Sequence, residues 1–137
     1  YESYLKLKER YKGSKLSINK CKLAEGSLPY VELEFVEGTT LAELLDDYLK
    51  KDDIDGFHEL FEEYVKRISY GEDSKVADYD MIFANILVNG KKWTVIDYEW
   101  TVEHPVDTKE IAFRSLYCYL FVLYLTLMQI LLLIFAS

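Results

Sequence analysis

The chain has 137 residues, enough for one modest domain with a core. It carries 16 basic against 24 acidic residues, net −8, which excludes the basic surface that nucleic-acid binding requires. Half of the residues are hydrophobic and 15% are aromatic, which excludes a disordered chain.

Residues 1–15 are polar and Lys-rich, with weak periodicity. Leu16, Ile18, Cys21 and Leu23 then alternate loosely, and Glu25-Gly26-Ser27 supplies turn chemistry. The segment from Tyr30 to Val36 alternates and is rich in β-formers, so two antiparallel strands joined at Gly26 are predicted. Gly38-Thr39-Thr40 ends the second strand. Thr40 and Glu43 fit a capping box, and Leu41, Leu44, Leu45, Tyr48 and Leu49 mark one face of the helix that follows. A second helix is predicted from the stripe Ile54, Phe57, Leu60, Phe61, Tyr64, Val65 and Ile68, with Gly71 as its stop.

Residues 72–84 read as a loop. Ile86 to Val88, Asn89-Gly90 and Trp93 to Ile96 read as a tight hairpin with positive φ at both Asn89 and Gly90. His104-Pro105 breaks any continuation, and Asp107 or Thr108 can cap a final helix. From Ser115 to Ser137 there is no charged residue.

Cys21 and Cys118 form no CxxC pair, and His58 and His104 lack metal-ligand spacing. Buried free thiols in a reducing compartment are expected rather than a disulfide framework. No basic segment with an apolar core opens the chain, so no signal peptide is expected. Cytoplasmic placement follows as the expectation.

The residues that suggest chemistry are Asp80, Asn85 and Asp97. Phosphoryl transfer requires placing a triphosphate and its metal and orienting an acceptor hydroxyl. Mg²⁺ prefers hard oxygen ligands, which carboxylate and amide side chains supply. A hairpin directly after Asn85 would return the chain so that Asp97 comes close to it.

This order of elements, with Glu34-Phe35-Val36-Glu37-Gly38, Asp80-x4-Asn85-Ile86-Leu87-Val88 and Ile96-Asp97-Tyr98-Glu99, resembles the protein-kinase-like superfamily. It is closer to the aminoglycoside phosphotransferase and choline kinase branch, and to kinase-like modules of bacterial surface-glycan methyltransferase/kinase proteins. The resemblance covers about Leu16 to about Ala112. It implies an α+β, partial kinase-like fold: residues 1–37 as the end of the small lobe with its hinge, 38–114 as the first half of the large lobe, and 115–137 as an apolar helix.

The resemblance also implies roles. Asp80 matches the catalytic aspartate that accepts the acceptor's proton, and Asn85 and Asp97 match the Mg²⁺ ligands. Glu34 and Val36 match hinge positions that meet the adenine of ATP, and Leu87 matches the apolar residue beneath that ring. Asp107 matches the aspartate that opens the large lobe's central helix and steadies the catalytic loop. The implied partners are the nucleotide and a small-molecule or glycan acceptor.

The chain departs from the family in four places. Asp78 stands where a His is usual, and Ile82 where a phosphate-contacting Lys or His is common. No Gly-rich phosphate loop precedes these segments, and Lys6, Lys8 and Lys12 lack the context of the family's strand Lys. The expected function is therefore the ATP- and Mg²⁺-binding part of a phosphotransferase, a partial domain inactive in isolation. The alternative is a non-catalytic kinase-like binding module. Residues 115–137 leave three readings open: a membrane anchor, which would put the protein on the cytoplasmic side of a membrane, a buried lobe helix, or a non-native tail from an altered frame.

Overall fold

A computed structural model describes residues 1–135 as a mixed α+β structure. It opens with helix α1 (Glu2–Arg10), where the sequence shows only weak periodicity. Tyr4 and Leu7, one turn apart, are buried and hold α1 against the core. The polar faces of α1 hid this single apolar stripe.

Strands β1 (Leu16–Ile18), β2 (Cys21–Ala24) and β3 (Tyr30–Leu33) follow. The hairpin expected around Gly26 forms, but only between β2 and β3, in register from Cys21↔Leu33 to Ala24↔Tyr30. Leu16–Ile18 leaves it and pairs in parallel with a strand late in the chain. Strand pairing at such a separation has no local signature, which is why the alternation of residues 16–23 reads as one strand.

Strand β4 (Thr39–Thr40) leads into α2 (Leu41–Lys50). The capping box is complete: the Thr40 hydroxyl accepts the Glu43 N–H, and Glu43 accepts the Thr40 N–H. Helix α3 (Ile54–Ile68) is capped by Asp53, whose carboxylate accepts the Gly56 N–H, and it buries Tyr64 and Ile68. Within the expected loop lie β5 (Ala77–Asp78) and a 3₁₀ turn (Phe83–Asn85).

The hairpin after Asn85 is present as β6 (Ile86–Asn89) and β7 (Lys92–Val95). Its turn sits one residue later than expected. Asn89 pairs with Lys92, so Gly90 and Lys91 form the loop, and of Asn89, Gly90 and Lys91 only Gly90 has positive φ. A Gly at the first loop position is the II′ pattern, which also matches strand twist. Strand β8 (Thr101–Val102) pairs antiparallel with β5, and α4 (Thr108–Phe135) closes the description.

The four-stranded sheet has the order β1-β7-β6-β4. Its inner face meets Phe83, Tyr64 and Tyr119, whose rings pack edge to face at 4.9 Å and 5.7 Å around Phe83. Helix α4 is divided. Thr108, Ile111, Ala112, Ser115 and Tyr119 are buried, whereas most side chains beyond are exposed. By length and composition α4 is long and apolar enough to cross a membrane, and only 6% of its most apolar window is buried.

Candidate functional site

The loop Asp78–Asn85 is tied down residue by residue. The Asp78 carboxylate accepts the Asp80 N–H at 3.0 Å. The Asn85 amide nitrogen donates to the Asp80 carbonyl at 3.0 Å and to its carboxylate Oδ2 at 3.1 Å. The other carboxylate oxygen, Oδ1, accepts Nη2 of Arg114 at 2.8 Å. Behind the loop, the Tyr64 hydroxyl donates to the Met81 carbonyl at 2.9 Å and lies 2.6 Å from the Ser115 hydroxyl. Helices α3 and α4 thus grip the loop from its buried side.

Asp97 follows β7. The Ile96 N–H donates to the Asn85 carbonyl at 2.8 Å, so the hairpin brings the Asp97 segment back beside Asn85, as expected. Asp97 itself has φ 53°, a left-handed conformation that few non-glycine residues adopt. Such strain persists only where surroundings hold it. Here the next residue anchors the chain: Tyr98 is buried, donates to the Asn19 carbonyl at 3.1 Å and packs on Tyr4 of α1.

Glu34, Val36, Leu87 and Asp97 line one cleft of about 610 Å³, together with Asn19 and Val31. Gly38 favours the close approach after Val36: a Cβ there would lie 3.0 Å from the Val88 carbonyl oxygen and 3.3 Å from the Leu87 Cβ, tight enough that β6 would have to shift by a few tenths of an ångström. The Glu34 N–H is taken by the Lys20 carbonyl at 2.9 Å. Asp80 and Asn85 are outside the cleft's lining and join it through the Asn85–Ile96 hydrogen bond.

Two carboxylates of the loop differ in environment. Asp78 is fully buried, and burial pushes its carboxyl up to about 7, with the nearby charges of Asp80 and Asp97 adding to the effect. Its Oδ2 is buried without a hydrogen-bond partner. Asp80 is partly exposed, at 23%, and ion-paired. Among the described residues, no group of three or more His, Cys, Asp or Glu side chains gathers as a metal site.

Ile82 faces away from this arrangement, into an apolar cavity of about 130 Å³ between α2 and α4. Asp107 caps α4: its carboxylate accepts the Lys109 N–H at 2.7 Å. The loop is held instead by Asp78, Asn85 and Arg114. Cys21 is buried and Cys118 half-buried, and both are free thiols.

Arg114 and Asn19 are the site neighbours that the sequence did not single out, and Asp78 and Tyr98 were noted only as positions within the motifs. Arg114 reads as the last charge before an apolar run. The available signal was its place one residue before Ser115, on the same side of α4 as Ile111 and Ser115, which anchor the helix. No protein-family model matches the chain, and no curated protein matches it.

Proposed function

We propose that this chain is the ATP- and Mg²⁺-binding part of a kinase-like phosphotransferase acting on a hydroxyl of a small molecule or glycan. The observation that carries this is the shared cleft: residues from the hinge segment (Glu34, Val36), from β6 (Leu87) and from the end of the hairpin (Asp97) line one cavity. Four positions in three separate segments have no reason to converge if they are unrelated surface residues.

The orientation of Asn85 supports the same reading. Its amide nitrogen is engaged by Asp80, which leaves its carbonyl oxygen to a cation. Asn85 and Asp97 together offer two hard oxygen donors, enough for Mg²⁺, which retains waters and binds phosphate oxygens rather than needing a full protein cage. When bound, the ion would neutralise charge on the triphosphate.

In the proposed reaction the acceptor oxygen bonds to the γ-phosphorus. The bond from that phosphorus to the β,γ-bridging oxygen breaks, its electron pair going to ADP, and the acceptor proton goes to Asp80. Asn85 and the Asp78 contact to the Asp80 N–H hold the base in place. The 137 residues alone should turn over little, because no Gly-rich loop with its Lys is among them to place the triphosphate.

Calorimetric titration of ATP with and without Mg²⁺ tests this. Mg²⁺-dependent binding that Asp97→Ala abolishes is expected. Binding indifferent to Mg²⁺ or to Asp97→Ala would sink the proposal.

One observation favours a binding module without turnover: both Asp80 carboxylate oxygens are already engaged, by Arg114 and Asn85. Phosphate transfer by a longer chain that supplies the phosphate loop and its Lys, lost on Asp80→Ala, would eliminate that reading. Membrane association through α4 is compatible with either, and flotation with lipid vesicles tests it.

A further inference from the structure

We propose that Arg114 contacts the phosphoryl group in transit, as a cation held ready beside Asp80; this rests on the phosphotransferase reading above. Its position is built from several directions. Helix α4 is fixed by the buried Ile111, Ala112 and Ser115, so the Arg114 backbone cannot drift from the catalytic loop. The guanidinium carbon lies 4.8 Å from the centre of the Trp100 ring and 5.5 Å from that of Tyr79. Tyr79 precedes Asp80, and its N–H donates to the Trp100 carbonyl at 3.0 Å, so both rings belong to the framework that carries the base.

The guanidinium has donors left over. A guanidinium carries five N–H donors, and the bond to Asp80 Oδ1 uses one. The Nε is buried and cannot reach a ligand, but the side chain as a whole keeps 28% of its surface open. A planar guanidinium with open donors beside a general base suits the equatorial oxygens of a phosphoryl group in transfer, where negative charge collects.

Stability alone does not account for this contact. Partly exposed ion pairs contribute little to stability, because solvent screens them. The contact also occupies one of the two carboxylate oxygens of the proposed base. A role in transfer reconciles the two: Arg114 orients Asp80 in the free protein and moves part of its bonding to the phosphoryl oxygens as negative charge collects there. Its partner Asp80 raises its pKa further, so the charge is present at every working pH.

The test is calorimetric binding of MgADP with and without aluminium fluoride, a mimic of the phosphoryl group in flight. The wild-type protein should bind MgADP at least about tenfold tighter with the fluoride, an effect of the size charge-assisted contacts give. Arg114→Gln should remove that gain and leave plain MgADP affinity within about twofold, because the adenine cleft is untouched. Arg114→Lys should retain part of the gain. If Arg114→Gln does not fold by circular dichroism, Trp100→Leu removes the ring above the guanidinium while keeping the ion pair, and should reduce the gain. A gain that persists in these variants, or its absence in wild type that binds MgADP, overturns the proposal. Wild type that fails to bind MgADP at all overturns the nucleotide reading itself, and this inference with it.

Discussion

The hairpin β6–β7 and the ribbon β2–β3 are both two-stranded antiparallel pairs, yet they sit in opposite environments. The first is flanked by β1 and β4 in one sheet, and Trp93, Thr94 and Val95 of β7 are all buried. The second is a separate two-stranded sheet, and all four residues of β3 are exposed. Pairing is therefore not what separates them. Tyr30, Val31 and Leu33 are as apolar as the buried residues of β7, but among the described residues they stay exposed. The chemistry follows the same division. Asp80 and Asn85 lie where helices, sheet and loop converge and every backbone turn is tied, whereas Glu34 and Val36 sit at the rim, joined to the core by Gly38 and the Glu34–Lys20 contact.

The sharpest break of this contrast is Phe83→Ala. The ring is almost fully buried among Phe61, Tyr64 and Tyr119, so its loss leaves a cavity behind the Asp78–Asn85 loop. A loss of about 3–5 kcal/mol is expected, read from urea unfolding. A much smaller loss would mean that the loop region is no better packed than the ribbon.

Asp78 sharpens the contrast through pH. Its folded pKa of about 7 lies above the ordinary 3.8, chiefly through burial, so the folded state holds the proton more tightly. The contribution is fully present below the ordinary carboxylate range and is lost as pH rises through about 7. Asp80 and Asp97 add to the penalty on the charged form, and Arg10 and the Asp80 N–H oppose it. Asp78→Asn keeps an oxygen acceptor for the Asp80 N–H, so it should flatten the decline in unfolding midpoint between about pH 4 and about pH 7. An unchanged slope would assign the pH dependence elsewhere.

The smallest effect is expected on the ribbon. Leu33→Ala, at an exposed position of β3, should change stability by no more than about 0.5 kcal/mol. A larger change would show that the ribbon's outer face is covered in solution.

Much of the molecule was legible where neighbours in sequence settle the outcome. Thr40 and Glu43 name their own helix start, and the stripe from Ile54 to Ile68 names its own buried face. The hairpin was legible too, with its turn displaced by one residue, because register depends on flanking strands as well as on Asn-Gly chemistry. Glu34, Val36, Leu87 and Asp97 were named from a motif pattern, and they line one cleft. Arg114 has no local signature, since its partner Asp80 is 34 residues away and nothing in the neighbouring pattern points to it.

The sequence by itself determined the helix caps, the amphipathic faces, the turn positions to within a residue, and the apolar character of α4. These depend on backbone sterics and periodicity over a few residues. Only the tertiary structure decided that Leu16–Ile18 joins β7, that α1 exists and packs on Tyr98, that Asp78 is buried beneath Asp80, and that Arg114 reaches the same carboxylate. Those outcomes depend on which distant surfaces exclude water together, and burial, unlike a cap or a turn, is a property of two segments at once.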